Sequence, residues 1–154
     1  MLNAYGIMKY LHVLSVVIWI GGVTALAFVT WRVAKERNRS VLTEVLRQSA
    51  GYGQRVVGAA AVIVLFSGLA LVGIGHIGFG TFWVWFGYGG VLVHGVIGGF
   101  LIRKRTEELL QLASAPGGDD AALVTAAQRL WNTQLVYLIL LAIVIAGMVW
   151  KPTL

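Results

Sequence analysis

The chain has 154 residues, of which 58% are hydrophobic and 12% are charged, with a mean hydropathy of +0.83. Ordinary soluble domains carry about 25% charged residues, and one soluble core of this size cannot enclose so much apolar surface. Composition therefore excludes a soluble globular domain, and the absence of cysteine excludes disulfides, thiolate metal sites and iron–sulfur clusters.

Four stretches of the chain are long and apolar enough to cross a bilayer as helices. They cover residues 7–31, 56–75, 82–102 and 133–150. We predict one all-α domain over residues 1–154, an integral membrane four-helix bundle with long loops at 32–55 and 103–132. Apolar residues at helical spacing predict a short interfacial helix within 38–49. In the second loop, Asp119 or Asp120 should cap a helix that continues into the fourth span.

The basic residues predict the orientation of the bundle. Ten of the 12 lysines and arginines lie in the two long loops, and only Lys9 and Lys151 fall on the other side. Because short loops rich in Lys and Arg stay cytoplasmic, both termini should lie outside, with the protein in the inner (cytoplasmic) membrane. This distribution accounts for the net charge of +6 without nucleic-acid binding. All six acids also lie in these loops, which disfavours a proton relay of intramembrane carboxylates.

Two of the three histidines, His12 and His94, fall inside predicted spans, whereas His76 lies in a glycine-rich outer loop and should be solvated. An ionisable side chain in lipid is costly, so each intramembrane histidine is a candidate functional residue. The alternative is that each one hydrogen-bonds a neighbouring helix. Both lie in the outer half of the bilayer or near its midplane, and no span offers a carboxylate partner, so we predict that both are metal ligands.

A strip of glycines surrounds His94 on its helix face. Gly90 and Gly98 lie one turn away on either side, and Gly87 lies two turns away. Such a strip allows close helix approach, and it also leaves a flat slot for a planar cofactor beside its axial ligand.

The surroundings of His12 offer further candidates. Lys9 lies one turn outward from His12. If His12 held a haem, Lys9 would meet its propionates, although snorkelling of the lysine to the interface explains its position equally well. The hydroxyl of Ser15 is a candidate partner for the second ring nitrogen. Met8, His12 and Met148 form a competing set, because thioether and imidazole ligands suit Cu(I).

Aromatic residues flank the predicted outer loop and the end of the fourth span. An outer aromatic belt is the expected role of these side chains, namely Trp83, Trp85, Tyr88 and Trp150.

The first helix carries a resemblance to a known group. The run Lys9-Tyr10-Leu11-His12, followed by Trp19 and Gly21-Gly22, resembles the opening of the HemJ-type protoporphyrinogen oxidases and of the CopD copper-resistance membrane domain. Gly68 at the end of the second helix and Trp83 at the start of the third are similar as well.

The resemblance implies that His12 is an axial ligand of haem b. The other ligand of the HemJ-type proteins is a lysine just after the tryptophan that opens the third helix, and residues 84–88 contain no lysine. This departure puts protoporphyrinogen oxidase activity in doubt and leaves a position that His94 could fill.

The sequence therefore predicts a membrane protein with one b-type haem held between His12 and His94. Iron with two imidazoles has no open position, which favours electron transfer, with a quinone or another redox protein as partner, over oxygen chemistry. A copper-handling protein and a cofactor-free accessory subunit are the alternatives. Enzymatic activity, a redox reaction at the outer face and assembly into a homo-oligomer stay open.

Overall fold

A computed structural model describes residues 3–151 of the chain, apart from the side chain of Gln54. Its α-helices are α1 (Ala4–Lys35), α2 (Arg39–Tyr52), α3 (Gly58–Ile74), α4 (Phe82–Val96), α5 (Arg103–Ser114) and α6 (Asp120–Trp150). A π-helical segment, Gly53–Val57, joins α2 to α3, and a second one, Ile97–Ile102, joins α4 to α5.

The helices form four continuous rods, each long and apolar enough to cross a membrane. The rods are Ala4–Lys35, Arg39–Ile74, Phe82–Ser114 and Asp120–Trp150. The described residues contain no β-strand. The predicted all-α membrane fold with four spanning helices is confirmed.

The rods extend well beyond the predicted spans at the end that carries most of the basic residues, called here the basic end. The predicted interfacial helix exists as α2, but it continues through the π-helical segment into the second span. The cap of α6 is as predicted, because Asp119 Oδ1 accepts a hydrogen bond of 2.8 Å from the amide of Ala121. Before this cap the chain turns at Pro116 and Gly117, and Gly117 takes a left-handed conformation with φ +67°.

Two clusters of buried side chains hold the rods together. The cluster at the basic end joins α2, α5 and the start of α6, and its fully buried members are Leu42, Leu46, Leu109, Leu123 and Leu130. The cluster within the spans includes Trp19, Val57, Ala60, Val64, Tyr137 and Leu141. Many other apolar side chains of the spans, such as Val17, Phe66 and Ile139, point outward, as expected of helices in lipid.

Arg39 ties the basic end together. Its guanidinium donates to the carbonyl oxygens of Leu112 (2.8 Å) and Gly118 (2.7 Å), and it forms an ion pair of 2.6 Å with Asp120. The first residue of α2 therefore fixes the turn between α5 and α6.

Candidate functional site

A cavity of about 120 Å³ lies between the four rods, near the end opposite the basic end. Every rod contributes to its wall, with His12 from α1, Gly68 from α3, Tyr88 from α4 and Met148 from α6. The remaining wall is apolar or aromatic, and includes Trp19, Trp83, Val144 and Ile145. An apolar cavity of roughly 150 Å³ in another protein holds one benzene ring. At about 120 Å³ the present cavity is somewhat smaller, which limits an enclosed occupant to about one ring or a metal ion.

His12 is held in one orientation by α3. Its Nδ1 lies 2.9 Å from Ser67 Oγ, and the Ser67 hydroxyl donates to the carbonyl oxygen of Ile63. Because the single hydroxyl hydrogen of Ser67 goes to Ile63, Ser67 Oγ accepts a hydrogen bond from the Nδ1–H of His12, and the neutral ring in this tautomer keeps a lone pair on Nε2. Within the described part of the chain, Nε2 has no hydrogen-bond partner. The sequence proposed Ser15 as the partner of Nδ1; Ser15 is buried, but the structure places Ser67 in that role.

Tyr88 brings a second polar group to the cavity. Its hydroxyl is buried and makes no hydrogen bond to any described residue. Tyr88 Oη and His12 Cε1 both lie within 4 Å of the position that a Cβ atom would take at Gly68. The missing side chain at Gly68 thus leaves the space in which the two polar rings approach each other. An unsatisfied buried hydroxyl costs about 1–3 kcal/mol, which makes Tyr88 a natural contact for a ligand.

His94 is not part of this cavity. It is only 2% exposed, with Nδ1 2.6 Å from the carbonyl oxygen of Gly90 and Nε2 3.1 Å from that of Tyr137. The Tyr137 and Trp19 rings meet the imidazole edge-on, at centroid distances of 4.6 Å and 5.9 Å. Both ring nitrogens therefore face backbone carbonyls, which corresponds to the helix-packing alternative for this histidine.

The glycine strip of α4 is a contact surface with α6. A Cβ at Gly87 would lie 2.5 Å from Met148 Sδ, and one at Gly90 would overlap the side chain of Val144. Gly98 also faces α6. Of the two uses predicted for the strip, the structure shows close helix approach, and side chains of α6 fill the space where a planar cofactor was expected.

The remaining candidates are spread around the site. Lys9 is exposed, and Met8 does not line the cavity, whereas Met148 does. His76 is exposed, as predicted. Among the residues that the structure describes, no three His, Cys, Asp or Glu side chains converge.

The predicted aromatic belt is divided between two locations. Trp85 and Trp150 are exposed, as residues of a belt would be. Trp83 and Tyr88 instead line the cavity.

Sequence reasoning missed Ser67 and the inward positions of Gly68 and Tyr88. The signals available were a hydroxyl followed by a glycine within an apolar span, and the one tyrosine of the third span. Neither signal states which helix face meets His12.

Four apolar rods packed around an intramembrane cavity define a multi-pass integral membrane protein. Residues 6–152 match a family described as predicted integral membrane protein (DUF2269), and the chain belongs to this family. No curated protein and no solved structure matches the chain.

Proposed function

We propose that the chain is a quinol-binding membrane protein, whose cavity takes the single-ring head group of a lipid-soluble quinol. The observation that carries the proposal is the unpartnered Tyr88 hydroxyl beside His12 in an otherwise apolar cavity of about 120 Å³. Binding a quinol agrees with the membrane electron-transfer role and the quinone partner that the sequence predicted.

The hydrogen-bonding capacity of the two rings matches a quinol hydroxyl. His12 Nε2 carries a lone pair, because Nδ1 donates to Ser67, and it can accept a ligand O–H. Tyr88 can donate its own O–H to the ligand oxygen. One quinol hydroxyl would thus satisfy both polar groups of the cavity, while its ring would contact the apolar wall.

Haem b between His12 and His94 fits the geometry poorly. His12 is suited to be a metal ligand. Metal-binding histidines donate a hydrogen bond from their other ring nitrogen to a fixed partner, which here is Ser67. His94, however, faces two carbonyl oxygens, and α6 covers Gly87 and Gly90. A porphyrin also exceeds a cavity of single-ring size. Haem ligation stays a prediction from the sequence.

Copper binding is a second candidate, supported by one specific contact set. Met148 and His12 line the same cavity, and a thioether with an imidazole is a donor pair suited to Cu(I). The resemblance of the first helix to the CopD domain also supports this candidate. Met8, the third ligand expected from the sequence, does not line the cavity.

The test is titration of the purified full-length protein in detergent with a quinol carrying a short alkyl tail. Quenching of tryptophan fluorescence reports binding, because Trp19 and Trp83 line the cavity. Tyr88→Phe removes only the hydroxyl and should weaken binding about 10-fold. Tyr10→Phe is the matched control, because Tyr10 is 69% exposed and should bind as the wild type does.

A second variant pair tests the cavity itself. Gly68→Leu should abolish quinol binding, because the new side chain enters the space between His12 and Tyr88. Gly73→Leu, on the same helix, is its control, since no atom lies within 4 Å of the Cβ position there. Unchanged affinity in both Tyr88→Phe and Gly68→Leu would refute quinol binding in this cavity.

Metal analysis and an absorption spectrum distinguish the alternatives. If the purified wild type contains stoichiometric copper and both His12→Ala and Met148→Leu lose it, the cavity is a copper site and the quinol proposal is wrong. Sharp α and β bands in the dithionite-reduced wild-type protein would show haem instead.

A further inference from the structure

A second cavity, of about 450 Å³, lies at the basic end and shares no lining residue with the first cavity. Its lining residues come from the π-helical segment after α4, from α5 and from α6. They are Phe100, Leu101, Lys104, Arg105, Glu108 and Arg129.

Cations predominate in this cavity. Three of its side chains are basic and one is acidic, and neither Lys104, Arg129 nor Glu108 has an ion-pair partner within 4.0 Å among the described residues. The neighbouring Arg103 differs, because it pairs with Glu107 at 2.9 Å. The cavity therefore presents a surplus of positive charge, with three cations against one carboxylate.

Arg105 gives the cavity a fixed cationic side. Its Nη1 donates to the carbonyl oxygen of Arg129 (2.7 Å) and to Thr133 Oγ1, which anchors the guanidinium on α6. An arginine has five N–H donors, so Nε and Nη2 remain for an anion. A planar guanidinium held in this way suits the oxygens of a phosphate.

The other side of the cavity is apolar and faces outward. Phe100 is 68% exposed and Leu101 is 39% exposed, and both lie just before the chain changes from the apolar run ending at Ile102 to the charged run beginning at Arg103. This change marks the level where a spanning helix leaves the hydrocarbon for the head-group region. A soluble phosphate would use only the cations, whereas a phospholipid would use both sides.

We propose that this cavity binds an anionic phospholipid, with its phosphate between Lys104, Arg105 and Arg129 and an acyl chain along Phe100 and Leu101. Such a lipid complements the cavity in two ways. Its anionic head group matches the basic side chains, and its acyl chains match the apolar flank.

The experiment is native mass spectrometry of the purified full-length protein, titrated with phosphatidylglycerol and, separately, with phosphatidylcholine. The wild type should retain phosphatidylglycerol at lower lipid concentration than phosphatidylcholine. Lys104→Gln combined with Arg129→Gln should weaken phosphatidylglycerol binding roughly 10- to 30-fold and leave phosphatidylcholine binding unchanged. Arg105 is left intact because it joins α5 to α6.

The matched control combines Arg47→Gln with Arg55→Gln, which removes two exposed cations from the same end but outside the cavity. This control should bind phosphatidylglycerol as the wild type does. An equal loss in both double variants would show general surface attraction and overturn the site. Absence of a phosphatidylglycerol preference in the wild type, or full displacement of the lipid by millimolar inorganic phosphate, would also overturn it.

Discussion

The indole Nε1 of Trp19 on α1 donates a buried hydrogen bond of 2.8 Å to the hydroxyl of Tyr137 on α6. Trp19 also lines the cavity beside His12, and both rings of the pair pack edge-on against His94. This hydrogen bond therefore joins the first and last rods at the point where the cavity meets the packed part of the bundle.

Tyr137→Phe should destabilise the protein by about 1–2 kcal/mol, because the buried indole N–H would lose its acceptor. The measurement is the unfolding free energy in detergent, followed by tryptophan fluorescence against denaturant. Tyr10→Phe, at an exposed position of α1, should have no effect. Equal stability of the Tyr137→Phe protein and the wild type would show that the bond contributes nothing in the membrane-like environment.

Gly90→Ala should destabilise the bundle by about 1–3 kcal/mol, because the added methyl group overlaps the side chain of Val144. Its control is Gly89→Ala on the same helix, where no atom lies within 4 Å of the Cβ position, and which should be neutral or slightly stabilising. Adding Val144→Ala should recover part of the stability lost in Gly90→Ala. A Gly90→Ala protein of wild-type stability that has lost bound haem would restore the cofactor slot predicted from the sequence.

His94→Ala should lower the unfolding free energy by about 2–4 kcal/mol, because it removes a fully buried ring and leaves a cavity between α4 and α6. His12→Ala should have a smaller effect, since His12 is only half-buried. Both variants are compared by the same denaturant titration. If the wild type contains low-spin haem that becomes high-spin in His94→Ala, then His94 is a ligand and its packing role is secondary.

The ion pair between Arg39 and Asp120 should make the turn between α5 and α6 sensitive to acid. The hydrogen bond and positive charge of Arg39 hold the pKa of the Asp120 carboxyl below its ordinary value of 3.8. A carboxyl with a lowered pKa stabilises the folded state above its unfolded pKa and loses this contribution as the pH falls through its folded pKa. The difference in thermal midpoint between wild type and Asp120→Asn should be largest above about pH 5 and should shrink as the pH falls below the ordinary value of 3.8.

Glu44→Gln is the control for this pH experiment, because Glu44 is exposed and has no ion pair within 4.0 Å among the described residues. Its midpoint should follow that of the wild type at every pH. A constant difference between wild type and Asp120→Asn down to about pH 2 would contradict the assigned role of Asp120.

The orientation predicted from the basic residues is tested with a reporter that is active only in the cytoplasm. Fused after Leu154, which lies outside the described residues, it should be inactive, because the positive-inside rule places both termini outside. A protease added to intact cells should leave the Pro116–Gly118 turn uncut. Reporter activity, or cleavage at this turn, would reverse the arrangement.

The sequence alone determined the four spanning helices and the cap that begins α6. A run of about 20 apolar residues is a local property that lipid selects whatever its neighbours are, and a cap depends on one side chain and an amide two residues away. The cap at Asp119 and the four spans could therefore be predicted without knowledge of packing.

Only the tertiary structure decided which polar groups meet within the bundle. The rotation of each helix about its axis and its depth relative to the others bring Ser67 to His12, Tyr88 into the cavity, and His94 against Tyr137. These variables depend on how all four rods pack together, and no local pattern states them. The sequence could thus name His12 and His94 as the histidines within the spans, but their different surroundings arise from hydrogen bonds between residues 55 and 43 positions apart.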